Sequence, residues 1–500
     1  MHGHTRRDFL KYAGAGAAAL VVLDKQVVPA AEPESRSARP NILLVLSDDH
    51  GAPYLGCYGD KVIRTPNLDR FAAAGMRFDR AYTTCPQCVP SRASIMTGRS
   101  PIAIQMTRFS APLPAEVVTW PEILRAQGYY AGICRRYYHL DGPGAMDPVS
   151  KAVFEKHGLK TFDKRVDFLR QGGGRETTAA VMNEFFDGLP KAKPFFLWVG
   201  FNDPHRPYDK DAIPKPHDPA QLVLPPHFPD LPSLREDLAR YYDEIGRLDG
   251  EFAAVLGVLE KRGLAENTIV IFMGDNGGAL LRGKGTLYEL GCHVPLLVRW
   301  PGAVKPGASA ELISGEDLAP TFLEAAGAPV PQSMTGRSFL KLLRGEPFEG
   351  RKYVFTQRSA HGTALPTNTA SFDLGRAVTT KTHRLIYNAL WQLPYWPVDF
   401  SGQPFWKEMQ ALHAAGKLAP EFERLYFSPQ RPMFELFDLQ NDPCELRNLI
   451  GKPEAAAVER ELKGALQEWM ILERDYLPLP MADRAPANRK NGQPEKDKVS

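Results

Sequence analysis

The chain is 500 residues long and 43% apolar, enough for a large core, and length alone sets a soft prior of about three domains. Its 61 basic and 58 acidic residues leave a formal charge of +3. Near-neutrality excludes general nucleic-acid binding, so any preference for anions has to be built locally.

Thr5-Arg6-Arg7-Asp8-Phe9-Leu10-Lys11 stands near the start of the chain, before an Ala- and Gly-rich apolar stretch over 12–23 and then Val28-Pro29-Ala30-Ala31. This pattern predicts a signal peptide over 1–31 of the twin-arginine type, cleaved near Ala30 or Ala31. The protein is then a client of the twin-arginine export machinery and ends up periplasmic or secreted. The apolar run is too short for a stable membrane span, and no later segment reads as one.

Three apolar runs follow, over 41–46, 195–201 and 268–273. They end in Ser47-Asp48-Asp49-His50, Asn202-Asp203-Pro204-His205 and Gly274-Asp275-Asn276-Gly277-Gly278. Continuous runs of this length suit strands covered on both faces. Helical patterns over 65–75, 120–128 and 234–263 separate them. The alternation predicts an α/β fold, a large mixed, mostly parallel sheet sandwiched by helices, over 40–374. Ligands of such sheets gather beyond the carboxyl ends of the strands, where all three polar clusters lie. From about residue 375 the pattern changes. Short β-like runs over 376–388 and 434–438, an aromatic, Pro-rich stretch over 391–406 and a helix over 454–473 predict a smaller C-terminal subdomain, 375–480, on an antiparallel sheet. The polar tail 484–500 is expected to be disordered.

Six cysteines, at 57, 85, 88, 134, 292 and 444, form no tight metal pattern. Cys85 and Cys88 make a Cys-x-x-Cys without a second pair or a thioredoxin-like context, which argues against zinc or redox use. An export compartment permits disulfides, but the spacing assigns no pairing. Around Cys88 the chain reads Cys88-Val89-Pro90-Ser91-Arg92-Ala93-Ser94-Ile95-Met96-Thr97-Gly98-Arg99. Pro90 suits the first turn of a helix starting near residue 89, which puts Cys88 at an N-terminus that favours anions. Arg92 falls on the same helix face, where its guanidinium can fork onto an oxyanion. Asp48, Asp49, Asp275 and Asn276 offer only oxygen ligands, the set that Ca2+ or Mg2+ prefers. His50 is set aside as a loop residue.

The run from Cys88 to Arg92 with Thr97-Gly98-Arg99 resembles the signature of the type I sulfatases, in the alkaline phosphatase superfamily. Gly283-Lys284-Gly285-Thr286-Leu287-Tyr288-Glu289-Leu290-Gly291 resembles a second block of that family, and Asp203-Pro204-His205 a third. Residues 65–69, 317–321, 435–439 and 442–445 fit others, so the resemblance runs from about 40 to 475. It implies that a maturation enzyme oxidises Cys88 to formylglycine. It also implies one Ca2+, held by Asp48, Asp49, Asp275, Asn276 and residue 88. Arg92, Lys284 and Arg136 would then stabilise the sulfate, and His205, aided by Lys284, would protonate the leaving atom. His139 would take the proton that lets the sulfate go. The block over 128–140 departs from the family: it is one residue longer before His139, and Arg136 stands where lysine is usual.

Within the family the chain is similar to the sulfamidases, N-sulfoglucosamine sulfohydrolases, over 202–206, 222–226, 234–249 and 393–405. That implies a sulfated saccharide as substrate, with the N-sulfoglucosamine of heparan among the candidates. Arg206, Arg358 and His361 are candidates for recognising an acidic sugar, with surface charge as the plain alternative. Other readings use the same residues: an O-sulfatase on a polysaccharide ester, a phosphoester or phosphonate hydrolase, or a non-catalytic glycan-binding protein with Cys88 unmodified.

Overall fold

The computed structural model describes residues 39–106, 112–141, 148–172, 176–361 and 368–480. Its strands in chain order are β1 (Asn41–Ser47), β2 (Met76–Phe78), β3 (Ala81–Tyr82), β4 (Tyr130–Arg135), β5 (Phe168–Arg170), β6 (Phe195–Gly200), β7 (Thr268–Gly274), β8 (Leu296–Arg299), β9 (Gly307–Ser309), β10 (Ile313–Ser314), β11 (Val354–Ala360), β12 (Phe372–Thr379), β13 (His383–Asn388) and β14 (Phe434–Asp438). Eight form one sheet in the order β5-β4-β6-β1-β7-β8-β2-β9. The strands from β5 to β7 run parallel, β8 is antiparallel to both neighbours, and β9 is parallel to β2. The sheet is thus mixed and mostly parallel, as the apolar runs predict.

Every residue of β1, β6 and β7 is buried. Successive side chains point to opposite faces. Ile42, Leu44, Leu46, Phe196, Trp198 and Ile271 join a core that includes the helix Cys88–Thr97. Leu43, Val45, Leu197, Val199, Val270 and Phe272 join a second core under the long helix Pro232–Lys261. With both faces covered, no alternation of polar residues survives, which is why these strands read as unbroken apolar runs. A buried carboxylate on that long helix, Asp249, accepts the backbone N–H groups of Asn67 and Leu68 at 3.1 and 2.7 Å and so caps the helix Pro66–Ala73.

β3 and β10 form a short parallel pair, and a third sheet is antiparallel, in the order β11-β12-β13-β14. On one face the helix Ala456–Leu472 sets Leu462, Leu466 and Met470 against Val378, Leu385 and Leu436. The other face, through Val354, Ala377, Ile386 and Phe437, packs on Tyr82, Leu287 and Leu312 of the larger unit. The first strand of this sheet begins at Val354, ahead of the change of pattern near residue 375. Its Thr356, Gln357, Arg358 and Ser359 are buried but polar, so it carries no apolar signature. Fully buried Arg384 on β13 bridges the two units by pairing with Glu289 at 2.6 Å and Glu445 at 3.1 Å. The signal segment 1–31 and the tail 484–500 lie outside the described residues. Among those described, no helix is long and apolar enough to cross a membrane.

Candidate active site

The carboxyl ends of β1, β6 and β7 meet, and backbone hydrogen bonds stitch the turns that leave them. The Asp48 N–H donates to the Asp203 carbonyl at 3.1 Å, and the Asp275 N–H to the Ser47 carbonyl at 3.1 Å. Asp49 adopts φ 63°, a left-handed conformation that aspartate tolerates better than most residues, and its N–H donates to Asp275 Oδ1 at 3.0 Å. Tyr241, from the long helix, donates its hydroxyl to the Asp49 carbonyl at 2.8 Å. The turn is therefore held from three sides.

Cys88 enters this space at the first residue of the helix Cys88–Thr97, one position earlier than the sequence pattern places the start. Pro90 still falls in the first turn, where its missing N–H costs nothing. Cys88 Sγ lies 3.3 Å from Asp48 Oδ1 and 3.8 Å from Asp49 Oδ1. Arg92, fully buried, reaches Asp48 Oδ2 and Asp275 Oδ2, both at 2.9 Å. Ser91 donates to the Asp275 carbonyl at 2.6 Å and pins the helix to the end of β7.

Arg136, just beyond β4, places Nε 2.6 Å from Asp48 Oδ2 and Nη2 3.2 Å from His139 Nε2. Arg135 closes the strand at φ 69°, and His139 rides on the short helix Tyr138–Asp141, with Nδ1 3.4 Å from Asp48 Oδ2. The longer block thus still delivers an arginine and a histidine to the cluster. Lys284 Nζ sits 2.8 Å from Asp49 Oδ1 and 2.7 Å from Asp399 Oδ2. His205 Nε2 lies 3.8 Å from Asp49 Oδ2, its side chain 21% exposed at the edge of the cluster. Four distant stretches of chain thus converge on residue 88.

Electrostatics follow from this crowding. Burial opposes charge on Asp48, but Arg136, then Arg92, hold its carboxyl well below the usual range. Asp275 goes the other way: burial, then the neighbouring Asp48, push it up to about 7. Burial, then Asp48, raise the Cys88 thiol well above the ordinary cysteine range, so the encoded side chain is a thiol at neutral pH. Burial lowers His139 well below the usual histidine value, and burial with Lys284 lowers His205. Lys284 is raised despite its burial, chiefly by Asp399 and Asp49.

The donor set fits a hard divalent cation. Ligand atoms of Asp48, Asp49, Cys88 and His205 lie within 4.8 Å of one another, and Asp275 and Asn276 adjoin them. Asn276 donates through Nδ2 to Asp49 Oδ1 at 2.9 Å, while its fully buried Oδ1 has no hydrogen-bond partner among the described residues. A buried acceptor of this kind carries a desolvation cost that a ligand removes. The like-charge cost seen at Asp275 is of the same sort.

The other residues singled out in the sequence are placed differently. Arg206 is buried, forms a two-pronged ion pair with Asp237 and stacks 4.1 Å from the Tyr208 ring. Arg358 is buried and donates to the carbonyls of Ser359, Thr369 and Ala370. Both guanidinium groups have internal partners, and Arg358 also lines a cavity beside the Lys284 loop. His361 lies at the border of the site, with Nε2 3.3 Å from Asp399 Oδ1. His50 bonds Ser47 Oγ and the Tyr54 carbonyl, inside its own loop. Asp399 itself escaped the sequence reading, as a single aspartate in a Pro-rich, aromatic stretch with no motif around it. Asn202, whose Oδ1 accepts from Arg136 at 3.3 Å, was visible only as part of a polar strand end. A cavity of about 400 Å³, lined among others by Arg282, Tyr288, Trp396 and Arg431, has no wall from Cys88.

A family model described as Sulfatase matches residues 40–328, more than half of the chain. The chain belongs to the sulfatase family. As a sulfatase it hydrolyses sulfate esters or sulfamates. A second model, described as N-sulphoglucosamine sulphohydrolase, C-terminal, matches residues 281–390. The twin-arginine translocation signal model matches residues 3–22, so this sulfatase is exported across the membrane, to the periplasm or beyond. The human N-sulphoglucosamine sulphohydrolase is 30% identical, over 86% of this chain and 90% of the relative. An ulvan-active sulfatase of Formosa agariphila is 29% identical, over 89% and 77%. Among solved structures, a protein in complex with its substrate D-glucosamine-2-N,6-O-disulfate aligns with TM-score 0.62 at 21% identity, covering 88% of this chain and 99% of that one. The phosphonate monoester hydrolase of Silicibacter pomeroyi aligns with TM-score 0.64 at 19% identity, over 88% and 96%. At these identities the structural matches show a shared fold.

Proposed function

We propose that this exported sulfatase removes sulfate from a sulfated glycan and that its preferred target is an N-sulfoglucosamine residue. The observation that carries the reading is the convergence of Asp48, Asp49, Asp275, Asn276, Arg92, Arg136, His139, His205 and Lys284 on residue 88. Such a set matches the work of sulfate transfer: cations to meet the oxyanion, two histidines to handle protons, and oxygen ligands for one Ca2+. The match to the C-terminal model and the likeness to the human enzyme support the N-sulfated sugar.

In this proposal Asp48, Asp49, Asp275 and Asn276, with residue 88, hold the Ca2+. When bound, the ion supplies positive charge against the sulfate oxygens and lowers the pKa of a hydroxyl at residue 88. Residue 88 becomes formylglycine when a maturation enzyme oxidises its thiol; one hydroxyl of the hydrate would attack sulfur as the S–N bond to the sugar amine breaks, and loss of the second hydroxyl's proton would restore the aldehyde as the C–O bond to the bound sulfate breaks. Arg92 and Arg136 are anchored on Asp48 and so stand preorganised against the developing charge, without reorganisation during reaction. Lys284 is held on the neighbouring carboxylate, Asp49. His139, which burial keeps neutral, suits the proton-accepting role. His205 has to be protonated to serve the leaving atom, and an incoming sulfate beside it favours that form by its negative charge.

Release of inorganic sulfate, measured on N-sulfoglucosamine, 6-O-sulfoglucosamine, an aryl sulfate and an aryl phosphonate, tests the reading. The N-sulfated sugar is expected to be turned over fastest. Turnover of the phosphonate alone would replace it with the phosphonate-hydrolase reading.

A further inference from the structure

We propose that Asp399 is a positioning residue for this site: it fixes the direction of the Lys284 ammonium so that one N–H is left facing the sulfate above residue 88. The inference rests on the hydrolase reading given above.

Lys284 is closed off from solvent, with its side chain 1% exposed, and two carboxylates grip its Nζ from different parts of the chain. Asp49 belongs to the turn after β1. Asp399 comes from the loop before the helix Pro404–Ala414 and is 30% exposed, so its carboxylate forms part of the lip of the cluster. An ammonium has three N–H donors. Asp49 takes up one of them through both of its oxygens, at 2.8 and 2.9 Å, and Asp399 a second at 2.7 Å, which sets the direction of the third. Without Asp399 the flexible four-carbon stem keeps only its hold on Asp49, about which the ammonium is free to turn.

The loop is built to hold that position. Val398 and Phe400, on either side of Asp399, are 2% and 0% exposed. Asp399 itself takes φ 64°, a conformation an L-residue adopts at a cost unless its surroundings impose it. Gly285, next to Lys284, sits at φ 77° with Val398 lying where a Cβ would be, so the two loops approach as closely as a glycine allows. Gly285 also donates its N–H to the Pro86 carbonyl at 2.8 Å, which ties the lysine loop to the segment carrying Cys88. Asp399 further accepts from, or is paired with, His361 Nε2 at 3.3 Å, a second link from the lip inward.

The test is a double-mutant cycle between Asp399→Ala and Lys284→Ala in the full-length, matured protein. The readout is sulfate release from N-sulfoglucosamine and from 4-nitrophenyl sulfate, with kcat and KM separated. Asp399→Ala is expected to lower kcat/KM by about 10- to 100-fold, the scale of misplacing a group by about 1 Å. In the Lys284→Ala background the same change is expected to cost no further rate, because Asp399 acts through Lys284. Asp399→Asn, which keeps the shape and one acceptor oxygen, is expected to recover part of the loss and serves in the cycle if the alanine variant does not fold. Losses that multiply across the cycle, or an Asp399→Ala rate within twofold of wild type, would overturn the assignment while leaving the hydrolase reading intact. A matured wild type that releases sulfate from neither compound would overturn both.

Discussion

Arg384 offers the sharpest test of how the antiparallel sheet is fastened to the larger unit. The side chain is fully buried and spends Nη2 on Glu289, Nη1 on Glu445 and Nε on Thr379 Oγ1 at 2.9 Å. Burial works against charge on Glu289, yet Arg384 leads the groups that hold it at about 2, below its ordinary 4.5. That drop corresponds to about 3 kcal/mol. Removing one partner of a buried pair costs about 3–5 kcal/mol, because it strands a charge without water or counter-ion. The two figures agree, so Arg384→Ala is expected to lose about 3–5 kcal/mol at neutral pH. The sign of the pH dependence follows. A depressed carboxyl contributes stability that is fully present above about 4.5 and is lost as pH falls through about 2. The deficit of the variant is therefore largest near neutrality and shrinks with acidification, as the stranded carboxyls take up protons. Glu445, which burial leaves at about 7 even with Arg384 beside it, adds to the same trend. Urea unfolding followed by tryptophan fluorescence, at neutral pH and at about pH 4, reads the difference directly. A deficit below about 1 kcal/mol, the scale of an exposed pair, or one equal at both pH values, would refute the argument.

Cys88→Ala is expected to abolish sulfate release while leaving the thermal midpoint within a few degrees, since a small buried side chain is exchanged for a smaller one; assay and melting curve together check it. Chelation of divalent cations should lower both turnover and the melting temperature, and added Ca2+ should restore them, because binding to the folded state alone stabilises it; an unchanged rate after exhaustive chelation would count against the proposed ion site. Gly132 on β4 faces Phe185, whose ring occupies the place of a Cβ. Gly132→Ala should therefore cost about 1–3 kcal/mol in urea unfolding by overpacking the core, without a change in KM.

The parts of this molecule that could be read in advance share one physical trait: their chemistry is local in the chain. β1, β6 and β7 are covered on both faces, so five consecutive apolar residues announce each of them, and the polar residues that follow mark the sheet's ligand edge. The Cys88 helix and the Lys284 loop were legible as short strings for the same reason. β11 was not, because its Thr356 and Arg358 are buried through hydrogen bonds rather than through apolarity, and their partners, the carbonyls of Thr83 and Thr369, lie in other segments. Arg206 illustrates the same limit. Its neighbours in sequence suggested a sugar contact, but its partner, Asp237, comes from the long helix and no spacing rule points there. Asp399 is the extreme case: it reaches Lys284 from the far side of the chain, and only the docked loop around Val398 and Phe400 makes it part of the site.

The central claim is that residue 88 works as an oxidised side chain rather than as a thiol. Mass spectrometry of the peptide containing residue 88, taken from preparations of graded specific activity, tests it most directly. The account predicts an aldehyde at that position in an amount that rises in proportion to activity. Full activity in a preparation whose Cys88 is an intact thiol would contradict it.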